Sequence, residues 1–277
     1  MKKIALLLTL AVVYCVCAHA SKVDTIVLRS DIMQKDIKCV VVLPANYEKE
    51  KNRRFPVVYL LHGYGDNYAG WVKKAPHTAE SADMAQCIIV CPDGAIGSWY
   101  FDSPIDPTFK YETYVSKEVP HYVDEHYRTI SDRNARAIAG LSMGGHGAMF
   151  LAIKHPDVFG AAVSMSGGVD YTPFPNNWDI AKRLGSYSEN KERWEANTAY
   201  SLVMQLKNNE LAISFECGMS DFFIDVNRKL HQRLLDLKID HDYTERPGVH
   251  NWAYWDNAIQ FQMIFIKHFF AKTTKNS

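Results

Sequence analysis

Residues 140–144 read Gly-Leu-Ser-Met-Gly, between a short apolar run at 136–139 and an apolar helical stretch from about Gly147. This order predicts a strand, a very tight turn and a helix. G-x-S-x-G in that context holds the serine at a sharp bend with its hydroxyl exposed. Side chains two positions either side of Ser142 would strike neighbouring backbone, so glycine at 140 and 144 is a steric requirement. The helix N-terminus behind the serine offers N–H groups and a partial positive charge to an oxyanion. A glycine-rich turn with a capping serine would use the same residues without chemistry, but the flanking strand and helix favour a nucleophile.

A serine hydroxyl attacks a carbonyl only with a base beside it. The histidines after Ser142 are His146, His155, His231, His241, His250 and His268. His146 sits too close in the chain and is expected to pack in the helix, and His155 ends that helix beside Pro156. His231 and His268 fall inside helical patterns, and His241 falls at the start of a last strand, at the wrong end of a sheet. His250 follows an extended run at 242–246 and the breaker Pro247-Gly248, and it precedes a helix. That loop lies where a base could reach Ser142. An acid must orient the imidazole and stabilise its charged form. Asp221, in the loop after the run at 211–215, is the candidate, and it could also cap the next helix. Asp170 is its main rival; Glu216 and Asp225 are less well placed. Two backbone N–H groups would hold the oxyanion. One is expected from Met143, the other from Tyr64, flanked by Gly63 and Gly65 after the apolar run that ends at Leu61. His62 is expected to hold that loop by hydrogen bonds.

The rest of the chain must position these groups. Strand-length apolar runs occur at 25–30, 38–43, 56–61, 87–91, 136–139, 161–165 and 211–215. The first two suit a hairpin, and the unbroken later ones fit strands buried on both faces. Helical patterns fill 111–127, kinked by Pro120, then 147–155, 224–237 and a final stripe running Trp252, Trp255, Ile259, Met263, Ile266, Phe270. Strands alternating with helices predict an α/β fold with a mainly parallel central sheet and helices on both faces. Residues 167–208, with Pro173, Pro175 and a charged stretch at 189–195, read as a small insertion over one end of that sheet. Residues 21–277 are therefore expected to form a single domain.

Residues 1–20 are expected to be a cleaved signal peptide. Lys2 and Lys3 precede an apolar run from Ile4 to Ala18, and Ala18-His19-Ala20 supplies small residues before Ser21. The run is shorter than the ~20 apolar residues of a spanning helix, so no stable membrane anchor is expected and the location is secreted or periplasmic. The 277 residues hold 31 Lys plus Arg and 31 Asp plus Glu, which argues against a nucleic-acid partner. Export permits disulfides, but Cys87 and Cys91 sit about 13 Å apart along a strand, beyond the roughly 7 Å a bridge spans. Buried thiols are the expectation, with one bridge through Cys39 or Cys217 left open. No metal or cofactor pattern is present, and nothing in the sequence requires or excludes a homo-oligomer.

The segments His62-Gly63-Tyr64-Gly65, 140–145, Gly218-Met219-Ser220-Asp221 and Pro247-Gly248-Val249-His250 together resemble the esterase D-like group of α/β-hydrolases. This group includes S-formylglutathione hydrolases, tributyrin-type esterases, feruloyl and acetyl-xylan esterases, and mycolyltransferases. The segments 98–103 and 111–114 are similar to its tributyrin and feruloyl members. The resemblance covers nearly the whole chain after the leader and is specific for fold and nucleophile, not for substrate. It implies an α/β-hydrolase fold, Ser142, Asp221 and His250 as the triad, and Tyr64 and Met143 as oxyanion donors. The implied substrates are small or polysaccharide-linked esters with short acyl or hydroxycinnamoyl groups. Thioester hydrolysis and acyl transfer are alternatives, and a non-catalytic binding module would conflict with the full Ser, Asp and His set. Aromatic residues near the site, Trp99 or Tyr100 in particular, are expected to touch substrate.

Overall fold

The computed structural model describes residues 21–273; the leader expected at 1–20 lies outside them. The eight strands are β1 (Lys22–Ser30), β2 (Lys35–Leu43), β3 (Val57–Leu61), β4 (Ile88–Pro92), β5 (Arg136–Leu141), β6 (Ala161–Met165), β7 (Ala212–Gly218) and β8 (Asp242–Arg246). They form one sheet in the order β1-β2-β4-β3-β5-β6-β7-β8. The β1–β2 hairpin pairs antiparallel with itself and with β4, and every pair from β4 to β8 is parallel.

The helices are α1 (Gly70–Lys74), α2 (His77–Ala85), α3 (Tyr111–Thr113), α4 (Val119–His126), α5 (Met143–Lys154), α6 (Ile180–Leu184), α7 (Lys191–Ala196), α8 (Ala199–Leu202), α9 (Ile224–Asp236) and α10 (Trp252–Thr273). Strand alternation divides the core between the two sheet faces. Val57, Tyr59 and Leu61 of β3 join the cluster that includes Tyr114, Val119, Leu151 and Leu230. Val58 and Leu60 join Trp71, Ala82, Ile259 and Met263 on the other face. Both faces of β3 to β7 are thus covered, which is why those runs are apolar without interruption.

Four local features depart from expectation. Helix α5 begins at Met143, directly after the serine. Strand β7 extends to Gly218, so Glu216 and Cys217 lie within the sheet. Helices α1 and α2 were not anticipated. The irregularity near Pro120 is a π-helical turn over Tyr114–Glu118, immediately before α4; the widened turn accommodates a ring that cannot donate to the helix ladder. Cys39, Cys87, Cys91 and Cys217 are all buried and free. The 167–208 segment carries α6 to α8 and folds back on the turn after β5, where Gly168 N–H donates to the Ser142 carbonyl at 3.2 Å.

Candidate active site

The turn between β5 and α5 is closed by the absence of side chains. A Cβ on Gly140 would stand 2.3 Å from the Gly144 carbonyl oxygen, and one on Gly144 would stand 2.5 Å from that of Leu61 and 2.6 Å from that of His62. All three obstacles are backbone and cannot yield. Ser142 is held at φ 55°, ψ −117°, a conformation that costs an L-residue about 1–3 kcal/mol and persists only when its surroundings fix it. They do so here: Ser142 N–H donates to the Met165 carbonyl at 2.9 Å, and the Ser142 carbonyl accepts from His146 N–H at 3.1 Å.

Parallel pairing of β7 with β8 brings the other two groups to the same rim. His250 Nε2 lies 2.9 Å from Ser142 Oγ, and His250 Nδ1 lies 2.8 Å from Asp221 Oδ2. A carboxylate only accepts, so the hydrogen-bond pattern assigns the proton to Nδ1 and leaves Nε2 as the acceptor for the serine hydroxyl. Asp221 is 3% exposed. Its other oxygen accepts from Phe223 N–H at 2.8 Å, so the capping role and the bond to His250 coexist on separate oxygens. Asp170 instead binds the Thr172 N–H and hydroxyl. The His250 ring is enclosed by Phe222, Trp255 and Phe223, at centroid distances of 4.2, 4.8 and 5.6 Å.

Across the serine, the loop after β3 is fixed by His62. Gly94 N–H donates to His62 Nε2 at 2.7 Å, which leaves Nδ1–H to donate to the Gly63 carbonyl at 2.8 Å. Burial lowers the pKa of this imidazole, in keeping with one donor and one acceptor nitrogen. The backbone N–H groups of Tyr64 and Met143 have no acceptor among the described hydrogen bonds of turns, loops and side chains. Both flank the serine, Met143 as the first residue of α5 and Tyr64 next to Gly63, whose added Cβ would approach Ser142 Cβ to 3.3 Å. The Tyr64 side chain is partly exposed, and its hydroxyl donates to Asp179 Oδ2 at 3.2 Å.

The expectation that Trp99 or Tyr100 presents a surface to substrate is not met. They are 1% and 0% exposed. Consecutive left-handed backbone conformations, φ 53° and 61°, turn both rings inward. Tyr100 Oη donates to the His62 carbonyl at 3.0 Å, and Trp99 Nε1 donates to the Trp178 carbonyl at 3.0 Å. Both support the site from below. The aromatic surface beside His250 comes from elsewhere: Trp178 of the 167–208 segment stacks on half-exposed Phe222 at 5.6 Å and 21°. Sequence reasoning missed Trp178, which lies in an irregular stretch; the only signal was that this segment should cover one end of the sheet. His146, at the start of α5, packs on Trp99, Phe101, Phe150 and Tyr171 and donates from Nε2 to the Asn197 carbonyl at 3.0 Å. Burial lowers its pKa to about 4.

No group of His, Cys, Asp and Glu among the described residues is arranged to hold a metal ion. The arrangement of Ser142, His250 and Asp221 is competent for proton-coupled attack on a carbonyl carbon.

Comparison with known proteins places the chain among esterases. The chain is 25% identical over 250 residues to an acetyl esterase of Caldicellulosiruptor saccharolyticus, covering 83% of this chain and 92% of that one. It is 27% identical over 212 residues to the S-formylglutathione hydrolase of Bos taurus, covering 68% and 71%. A solved ferulic acid esterase superposes with a TM-score of 0.79 at 30% identity, over 91% of this chain and 99% of that one. The Esterase family model matches residues 30–266, and the chain accordingly belongs to the Esterase family, as a carboxylic ester hydrolase with the α/β-hydrolase fold.

Proposed function

We propose that the protein is a serine esterase working through an acyl-enzyme, with Ser142 as nucleophile, His250 as base and Asp221 as its orienting acid. The observation that carries this reading is the imidazole bridging Ser142 Oγ at 2.9 Å and Asp221 Oδ2 at 2.8 Å. In the first half-reaction Ser142 Oγ bonds to the ester carbonyl carbon while its proton passes to His250 Nε2. The carbonyl oxygen becomes an oxyanion held by the Tyr64 and Met143 N–H groups. The intermediate collapses, the C–O bond to the alcohol breaks, and His250 returns its proton to the departing oxygen. Water then repeats the sequence on the acyl-serine and releases the carboxylic acid.

The substrates are esters of short acyl or hydroxycinnamoyl groups, including those carried on polysaccharide. Relatives named acetyl esterase and ferulic acid esterase support this class. So does the stacked Trp178–Phe222 pair beside His250, a surface suited to a planar aryl group. The positive, apolar and small-residue order of residues 1–20 supports export.

The test compares purified wild type with Ser142→Ala on p-nitrophenyl acetate, methyl ferulate, acetylated xylan and S-formylglutathione. Wild type is expected to favour the oxygen esters, and Ser142→Ala to lose at least ~10⁴-fold in kcat on every substrate it turns over. Near-wild-type turnover by Ser142→Ala would refute the mechanism. Preference for S-formylglutathione would move the substrate to thioesters.

A further inference from the structure

One fully buried carboxylate has no part in this reaction, yet it lies between the loops that carry Asp221 and His250. Glu216, on β7, is 0% exposed. Its Oε2 accepts from Arg246 Nη1 and from Gln262 Nε2 at 2.8 Å. Gln262 Oε1 in turn accepts from Ser214 Oγ at 2.6 Å. Arg246 is the last residue of β8, immediately before the 247–251 loop, and Gln262 stands on α10, after it. One carboxylate thus binds both flanks of the loop that carries His250.

Tyr254, also on α10, adds a third contact. A Cβ on Gly248 would fall 2.2 Å from Tyr254 Cδ2, so the ring lies directly against the loop. Burial and then the Glu216 carboxylate push the ionisation of its hydroxyl upward, yet neither Tyr254 Oη nor Glu216 Oε1 has a hydrogen-bond partner among the described residues. The two loops are also tied to each other. Met219 N–H donates to the Arg246 carbonyl at 2.8 Å, and Ser220 N–H donates to the Gly248 carbonyl at 2.9 Å. A Cβ at Gly218 would stand 2.7 Å from that same Gly248 oxygen.

Stability is a poor reason for this arrangement, because well-packed apolar residues commonly replace a buried ion pair without loss. Apolar packing has no direction, however, whereas hydrogen bonds to one carboxylate fix the loop at both ends. We propose that Glu216 is a positioning residue for His250, holding the 247–251 loop through Arg246 and Gln262 so that Nε2 stays on Ser142 Oγ. This rests on His250 being the base. A displacement of about 1 Å at a reacting group can cost about 100-fold in rate.

The test is Glu216→Gln in the full-length protein, read by kcat, KM and the low-field proton resonance of the His250–Asp221 hydrogen bond. The expected result is a fall in kcat of about 10- to 100-fold with KM little changed, together with a shifted or broadened resonance. Ser142→Ala, the control, should abolish turnover and keep the resonance. Unchanged kcat and resonance in folded Glu216→Gln overturn the proposal. A displaced resonance with unchanged kcat overturns the reading of His250 as base, and leaves the anchoring of the loop standing. Should Glu216→Gln fail to fold, Arg246→Lys keeps the buried charge paired and removes only the guanidinium geometry. It is expected to show the same pattern at smaller amplitude, and wild-type kcat and resonance in that variant likewise overturn the proposal.

Discussion

The turn around Ser142 and the 167–208 segment both border the same candidate site, but they are held in opposite ways. The turn is fixed by what is missing: at Gly140 and Gly144 any side chain would meet backbone oxygen at 2.3–2.6 Å. The segment is fixed by what it touches. Its Trp178 is placed by the Trp99 indole N–H, which donates to its carbonyl, and by the rings of Phe222 and Phe223, all distant in the chain, and by Phe174 of the segment itself. A geometry set by backbone exclusion tolerates no substitution and serves every substrate. One assembled from side-chain contacts can change residue by residue, and it is suited to choosing among substrates.

The largest effect that would break this contrast is at Gly144. In Gly144→Ala the added methyl must displace the Leu61 and His62 carbonyls or the turn itself, and with it the Met143 N–H beside the serine. Overpacking of this kind costs about 1–3 kcal/mol of stability, and misplacing an oxyanion donor costs about 10²–10³-fold in kcat. Steady-state kinetics on p-nitrophenyl acetate and on methyl ferulate should show the same fractional loss. A loss confined to one substrate would mean that the turn also selects.

His146 joins the two regions, since it belongs to α5 and donates to Asn197 of the segment. Its folded pKa of about 4 lies below the ordinary imidazole value of 6.5 because burial disfavours the charged ring. Between those values the unfolded chain binds the proton and the folded chain does not, so stability must fall as pH falls. The stabilisation is intact above pH 6.5 and declines through that window, by about 3 kcal/mol near pH 4. Urea unfolding of wild type and His146→Gln at pH 7 and pH 4.5 would isolate this contribution from the other titrating groups. The variant should have the flatter profile. Parallel profiles would mean that the imidazole is not held neutral at this junction.

The same contrast explains what could be read from the chain. The glycines, serine and flanking apolar runs of the turn state a local steric problem with one solution, so residues 136–145 identify it unaided. The positions of Asp221 and His250 follow from strand order, because parallel strands deliver the loops after them to one rim. Helix α2 was illegible: it meets the core through small residues such as Ala82 and Ala85, which leave no large apolar stripe. Trp99 and Tyr100 were misread because a loop aromatic can face either way, and two left-handed residues in succession decided the direction here. Trp178 was invisible for a related reason. It and Asp179 also adopt left-handed φ, 52° and 58°, in a stretch with no periodicity, and its long-range partners, Trp99 and the Phe222–Phe223 pair, come from two other parts of the fold.

Trp178→Ala provides the mildest and most selective probe of the wall. The substitution keeps the carbonyl that accepts from Trp99, so the backbone anchor survives while the ring stacked on Phe222 is removed. An aromatic pair contributes about 0.5–1.5 kcal/mol beyond its buried area, which corresponds to a loss of roughly 2- to 10-fold in kcat/KM for an aryl ester. Methyl ferulate should show that loss, and methyl acetate, which has no ring to stack, should not. An equal loss on both would make the wall a support for His250 through Phe222, whose ring lies 4.2 Å from the imidazole, and no loss on either would place the acyl group on another side of the serine. Selective loss on the ferulate ester would assign the choice of substrate to the segment built from side-chain contacts, and leave the backbone-locked turn with the chemistry common to all of them.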